Sequence, residues 1–249
     1  FLKGRDLVDH CRDGNLLPVP KVLSIVARVA EALAYAHRQN VVHRDIKPAN
    51  IMYEPQSDTV KVTDFGIARI TDSSRTKTGL VLGTPSFMSP EQIAGKKVDG
   101  RSDLYSLGVM LFQMIGGVLP FRGDSMAELM FKIGNEEAPD LRTIRKGVPD
   151  SVAQVVARAL AKKPESRYQD GDLFAAELLA AVEDASTGHT GTNVQPGSDA
   201  PAAFSLAAAT RAQAAAQETI LMAAAPKPEE VSAAGEPRAA ARHGSAPRP

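Results

Sequence analysis

The chain has 249 residues, 43% of them hydrophobic, with 29 basic and 29 acidic side chains and a formal net charge of zero. That length fits one large domain or two small ones, and the balanced charge argues against a nucleic-acid binder, which needs a basic footprint. The single cysteine, Cys11, excludes an internal disulfide and points to a reducing, cytosolic setting, with the thiol read as a small apolar group on a helix.

In chain order, the first strong periodicity is residues 21–40, where Val22, Ile25, Val26, Val29 and Leu33 share one face and predict an amphipathic helix. His37 near its end has no cysteine or carboxylate at metal-ligand spacing, nor do His10, His189 and His243; a surface or helix position suffices for each. Residues 50–54 and 59–63 read as strands joined by the turn "PQSD", a hairpin too small to stand alone and therefore expected to lie on helices. Further helices are predicted over 101–116, 125–135, 150–161 and 171–183, punctuated by Pro149 and Pro164. The uncharged run 104–121 is about as long as the shortest membrane span. Ser106, Gln113, Gly116-Gly117, Pro120 and the helical spacing of Leu104, Leu107, Leu111 and Met114 favour a buried central helix instead. Beyond Asp184, Ala, Pro, Gly and Ser dominate, and residues 185–249 read as a disordered tail with an Ala-rich stretch at 202–225.

The polar chemistry gathers around the hairpin. Asp45, Lys47 and Asn50 occupy the loop before its first strand, and Asp64 follows its second, so the hairpin returns Asp64 towards Asn50. A carboxylate and an amide oxygen are hard ligands suited to Mg²⁺. Asp45 facing the same space could orient a hydroxyl and accept its proton, and Lys47 could neutralise a phosphoryl group in transit.

These residues resemble the catalytic and metal-binding loops of eukaryotic-like (Hanks-type) bacterial serine/threonine protein kinases. H-R-D-x-K-x-x-N is matched by His43, Arg44, Asp45, Lys47 and Asn50, and D-F-G by Asp64, Phe65 and Gly66. "GTPSFMSPE" (83–91) is similar to the end of an activation segment, and "DLYSLGVML" from Asp103 to the central helix of the C-terminal lobe. "KPESRY" supplies Arg167, similar to the late arginine that pairs with Glu91. The resemblance covers about residues 1–184 and implies an α+β, mainly α, kinase-like C-terminal lobe with a short β-hairpin.

It also implies roles, residue by residue. Asp45 would be the base or hydroxyl orienter, Lys47 would touch the moving phosphate, and Asn50 and Asp64 would hold Mg²⁺ beside ATP. Met52 would lie under the adenine, His43 and Phe65 would belong to an internal apolar column, and Asp103 would hydrogen-bond the catalytic-loop backbone. Lys47, and Thr84 contacting Asp45 and Lys47, imply Ser/Thr hydroxyls of protein substrates. Arg44 and Arg69 would grip an activation-loop phosphate on Thr76 or Thr78, placed there by self-association. The implied setting is cytoplasmic, or the cytoplasmic part of a membrane-anchored kinase, with no nucleic acid and no membrane segment in this chain.

The family's other lobe has no counterpart here: no G-x-G-x-x-G, no V-A-I-K lysine and no helix carrying its glutamate partner. "LKGRDLVD" fits the first helix of the C-terminal lobe, and Phe1 suggests a truncated frame. The polypeptide as given is therefore expected to have little or no activity. The alternative, a one-lobed binding module, is disfavoured because a scaffold does not need Asp45, Lys47, Asn50 and Asp64 together.

Overall fold

The structure, a computed structural model, describes residues 4–65 and 85–187. Gly66, Arg69, Thr76, Thr78, Gly83, Thr84 and the tail from residue 188 lie outside the described residues.

Pro18 and Pro20 stand at the start of α1 (Val19–Arg38), where first-turn amides have no helical partner to lose. Its stripe Val22, Ile25, Val26, Val29 and Leu33 is fully buried. Asn40 then takes φ of +59°, a left-handed turn that ends the helix and sends the chain back over it.

The hairpin forms as β2 (Ile51–Glu54) and β3 (Thr59–Val62), antiparallel, with Ile51 opposite Val62 and Glu54 opposite Thr59. One expectation is corrected at its edge. Part of "LKGRDLVD" is a strand, not a helix: β1 (Arg5–Asp6) pairs with β2 and makes a three-stranded sheet in the order β1-β2-β3. Gly4 explains the choice. At φ of +101° its backbone packs so closely on the Tyr53 carbonyl that a Cβ would overlap it, and Leu7 N–H closes the strand by donating to the Pro48 carbonyl at 3.1 Å. Only Asp9–Cys11 is helical, as one 3₁₀ turn, and Cys11 is buried there with its thiol 3.4 Å from the Leu7 carbonyl.

Two short helices absent from the sequence reading, α2 (Pro90–Ile93) and α5 (Leu141–Ile144), accompany four longer ones. These are α3 (Gly100–Gly116), α4 (Met126–Asn135), α6 (Asp150–Ala159) and α7 (Gly171–Thr187). Asp99, Ser125 and Asp140 cap α3, α4 and α5 through their side chains, and left-handed Gly117 (φ +72°) ends α3.

Thirteen of the 17 residues of α3 are buried, so its uncharged run is the centre of the lobe. Among the described residues no helix is long and apolar enough to cross a membrane. Each large apolar side chain of α3 taken out of water contributes about 1.5–3 kcal/mol. Helix α1 lies along α7 and against α3, α6 crosses α3 at Gly108, and the hairpin rests on α1. The class is α+β, mainly α. The packing leaves the loop between α1 and β2 stretched over the N-terminal end of α3.

Candidate active site

That loop is built on Asp103, a carboxylate in the first turn of α3 that is 1% exposed. Its Oδ2 accepts the His43 amide at 2.8 Å and its Oδ1 the Arg44 amide at 2.7 Å. Arg44 needs such support, because its φ of +67° is left-handed and costs about 1–3 kcal/mol for a non-glycine residue. Two hydrogen bonds to a charged acceptor, each worth about 1.5–3 kcal/mol, are enough to hold it. The Arg44 carbonyl accepts from Gln92 Nε2 at 3.1 Å, which ties α2 to the same backbone.

Past that kink, Asp45, Lys47 and Asn50 converge. Lys47 Nζ donates to Asp45 Oδ2 at 2.7 Å, and Asn50 Nδ2 donates to the Asp45 carbonyl at 2.7 Å and to Oδ2 at 3.2 Å. Asp45 Oδ1 and Asn50 Oδ1 are left without hydrogen bonds among the described residues. Asp45 and Lys47 remain 38% and 37% exposed at their side chains, so the cluster opens to solvent.

The hairpin delivers Asp64 to this cluster. Thr63, its neighbour, is pinned to Asn50: the Thr63 amide and hydroxyl both donate to the Asn50 carbonyl, at 2.9 and 3.1 Å. Asp64 is exposed and left-handed at φ of +56°, so both Arg44 and Asp64, twenty positions apart, take this backbone conformation at the site. His43 bridges the two halves. Its Nε2–H donates to the Thr63 carbonyl at 2.8 Å and its Nδ1 accepts the Asp45 amide at 3.3 Å, so the proton sits on Nε2. Its buried ring meets Phe65 at 4.7 Å between centroids. Met52, half-buried on β2, lies opposite Asp6 and Lys61 in the sheet.

Further down, Glu91 and Arg167 form a bidentate pair at 2.7 and 2.9 Å, both buried. Burial alone would raise the Glu91 carboxyl, but hydrogen bonds from Arg167 and Ser102 hold it below its ordinary value.

Three residues at the site carried no weight in the sequence reading: Gln92, Gly100 and His37. His37 is not a bystander on its helix. Its side chain is 16% exposed and its Nε2 lies 2.8 Å from Asp103 Oδ2. Nothing in local spacing signals this, because the two residues are 66 positions apart.

The site is thus a strained loop of carboxylate, lysine and amide on a buried aspartate, with a second carboxylate returned by a hairpin, all on a helical lobe. The protein kinase domain family matches residues 1–180, and the chain belongs to that family. It is 42% identical over 190 residues to the serine/threonine-protein kinase Pkn3 of Myxococcus xanthus, covering 72% of this chain and 35% of that protein. It spans less than half the length of the curated relatives it matches. Among solved structures, the Mycobacterium tuberculosis PknI kinase domain is 31% identical with a TM-score of 0.56, covering 73% of this chain and 63% of that one. Rad53 residues 1–466 in complex with AMP-PNP is 25% identical with a TM-score of 0.58, covering 72% and 44%.

Proposed function

We propose that this lobe serves a serine/threonine protein kinase, transferring the γ-phosphate of Mg-ATP to Ser or Thr hydroxyls of proteins in the cytoplasm. The observation that carries this reading is the convergence of Asp45, Lys47 and Asn50 on a loop whose last residue is bonded to the neighbour of Asp64. The relatives' names support it, as does the AMP-PNP held by Rad53.

The donor set suits the ion such a reaction uses. Asn50 Oδ1 has no hydrogen bond among the described residues and Asp64 presents an exposed carboxylate, two hard oxygens that would suit a Mg²⁺ ion. When bound, the ion would neutralise charge on the phosphate oxygens. The protein's own residues do the rest. Asp45, whose Oδ1 has no partner among the described residues, orients the incoming hydroxyl and accepts its proton. Lys47, held at Asp45 Oδ2, places a positive charge where the transferring phosphoryl group passes. A Thr84 contact to this pair, and phosphorylation of Thr76 and Thr78 gripped by Arg44 and Arg69, complete the proposal; of these residues only Arg44 is among the described ones.

The test is phosphotransfer by the full-length protein to a Ser/Thr protein substrate. Asp45→Asn is expected to lower kcat by about 10²–10⁴-fold with nucleotide binding retained. Turnover by Asp45→Asn within about threefold of the native protein overturns the proposal.

A further inference from the structure

We infer that Asp58, at the tip of the hairpin, is a positioning residue for Asp64, clamping the β2–β3 ribbon to one place along α1. Its consequence in catalysis rests on the phosphoryl-transfer reading; the clamp itself rests on geometry alone.

Apolar contacts do not fix where the hairpin lies. Ile51, Tyr53 and Val62 are buried, but apolar burial is non-directional and tolerates sliding. Directional bonds to α1 come from the turn. Asp58 Oδ1 accepts from Lys21 Nζ at 2.5 Å and from Arg28 Nη2 at 3.1 Å, and the Asp58 main-chain carbonyl accepts from Arg28 Nη1. Lys21 and Arg28 stand two turns apart on one face of α1, so they hold the tip from points about 10 Å apart along the axis. Arg28 is itself steadied, its Nε donating to the Ser24 carbonyl at 3.3 Å. Strand β2 joins the same carboxylate: the Tyr53 hydroxyl donates to Oδ1 at 3.2 Å, and the Lys21 amine lies 5.6 Å from the Tyr53 ring centroid.

The backbone supplies the independent observation. Asp58 is left-handed at φ of +49°, a conformation that glycine adopts without strain. A residue serving that conformation alone needs no carboxylate, yet this one gathers three donors from two elements. The side chains of Lys21, Arg28 and Asp58 are 34%, 32% and 49% exposed, and ion pairs so open to water contribute little stability. What they set is place. Asp64 follows β3 directly, with Thr63 bonded to Asn50, so the strand carries any displacement of the tip to that junction.

Amide hydrogen exchange at Thr63 in the full-length protein tests this without using activity, with α6 amides as the folded reference. Asp58→Gly, which keeps the left-handed turn and removes the carboxylate, is expected to lower Thr63 protection by about fivefold or more and leave α6 unchanged. The double variant Lys21→Met, Arg28→Met is expected to lose as much, and adding Asp58→Gly to it should change protection by less than about twofold. In phosphotransfer assays, Asp58→Gly should raise the Mg²⁺ concentration for half-maximal rate by about threefold or more. A protein that is merely less stable would lose active fraction at an unchanged half-saturating concentration.

Native-like Thr63 protection in Asp58→Gly overturns the clamp, and the double variant decides the matter if Asp58→Gly does not fold. Lowered Thr63 protection with an unchanged Mg²⁺ requirement overturns the positioning role. Failure of the Asp45→Asn assay with loss of Thr63 protection in Asp58→Gly would sink the kinase reading and leave the clamp standing.

Discussion

Arg167 shows how much a single side chain carries in this lobe. All five of its N–H donors are used: Nε to the Ala161 carbonyl, the two terminal nitrogens to Glu91, and the remaining protons to the Arg101 and Lys162 carbonyls at 2.6–3.3 Å. The guanidinium also lies 4.7 Å from the Tyr105 ring centroid. Removing one partner of such a buried pair leaves the other charge uncompensated, so Arg167→Met is expected to destabilise the fold by about 3–5 kcal/mol in denaturant titrations. The acid limb should report the same contact. The folded-state pKa of Glu91 is lowered from 4.5, so its stabilisation is complete above that value and fades as pH falls through the folded one. The stability difference between native protein and Glu91→Gln should therefore shrink steadily below about pH 4.5. A constant difference down to the acid transition would show that the pair does not titrate as its geometry requires.

Between elements, closeness is set by glycine and alanine. Helix α7 opens at Gly171 against α1, where a Cβ would overlap the Ala30 carbonyl and crowd the Ala34 methyl. Gly134, near the end of α4, has open space around its Cα and a helical backbone. The two sites are expected to respond oppositely to the same methyl group. Gly171→Ala should destabilise by about 1–3 kcal/mol through overpacking, and Gly134→Ala should stabilise by about 0.5–1 kcal/mol by restricting the unfolded chain. Thermal unfolding of both variants checks this, and a Gly171→Ala variant as stable as native would mean that α1 and α7 can slide apart freely.

The helices and the hairpin were legible because their signals are local. The apolar stripe of α1, the uncharged run of α3 and the two β-rich runs on either side of "PQSD" each lie within one element. The strand β1 was not, since two residues carry no periodicity and their pairing partners, Met52 and Tyr53, come more than forty positions later. Asp45, Lys47, Asn50 and Asp64 could be singled out because their spacing is itself a motif. His37 and Gly100 could not, because a contact between helix ends is defined by distance in space alone.

Across the whole molecule, one design places the chemistry. Two packed helices, α1 and α3, form a floor, and the loop between α1 and β2 is bonded down onto it through Asp103. The hairpin, resting on the same α1, folds Asp64 back beside Asn50. Its turn is fastened there: Asp58 accepts from Lys21 Nζ at 2.5 Å, from Arg28 Nη2 at 3.1 Å and from the Tyr53 hydroxyl at 3.2 Å. Both ends of the proposed ion site thus refer to one rigid helix, in keeping with chemistry that depends on position more than on covalent participation. The central claim is that Asn50 and Asp64 share a divalent ion with a nucleotide's phosphates. Paramagnetic broadening of backbone resonances by Mn²⁺-ADP measures it most directly. Broadening centred on residues 50 and 64 and abolished by Asp64→Ala is the expected result; broadening centred elsewhere, or unchanged in Asp64→Ala, would contradict the account.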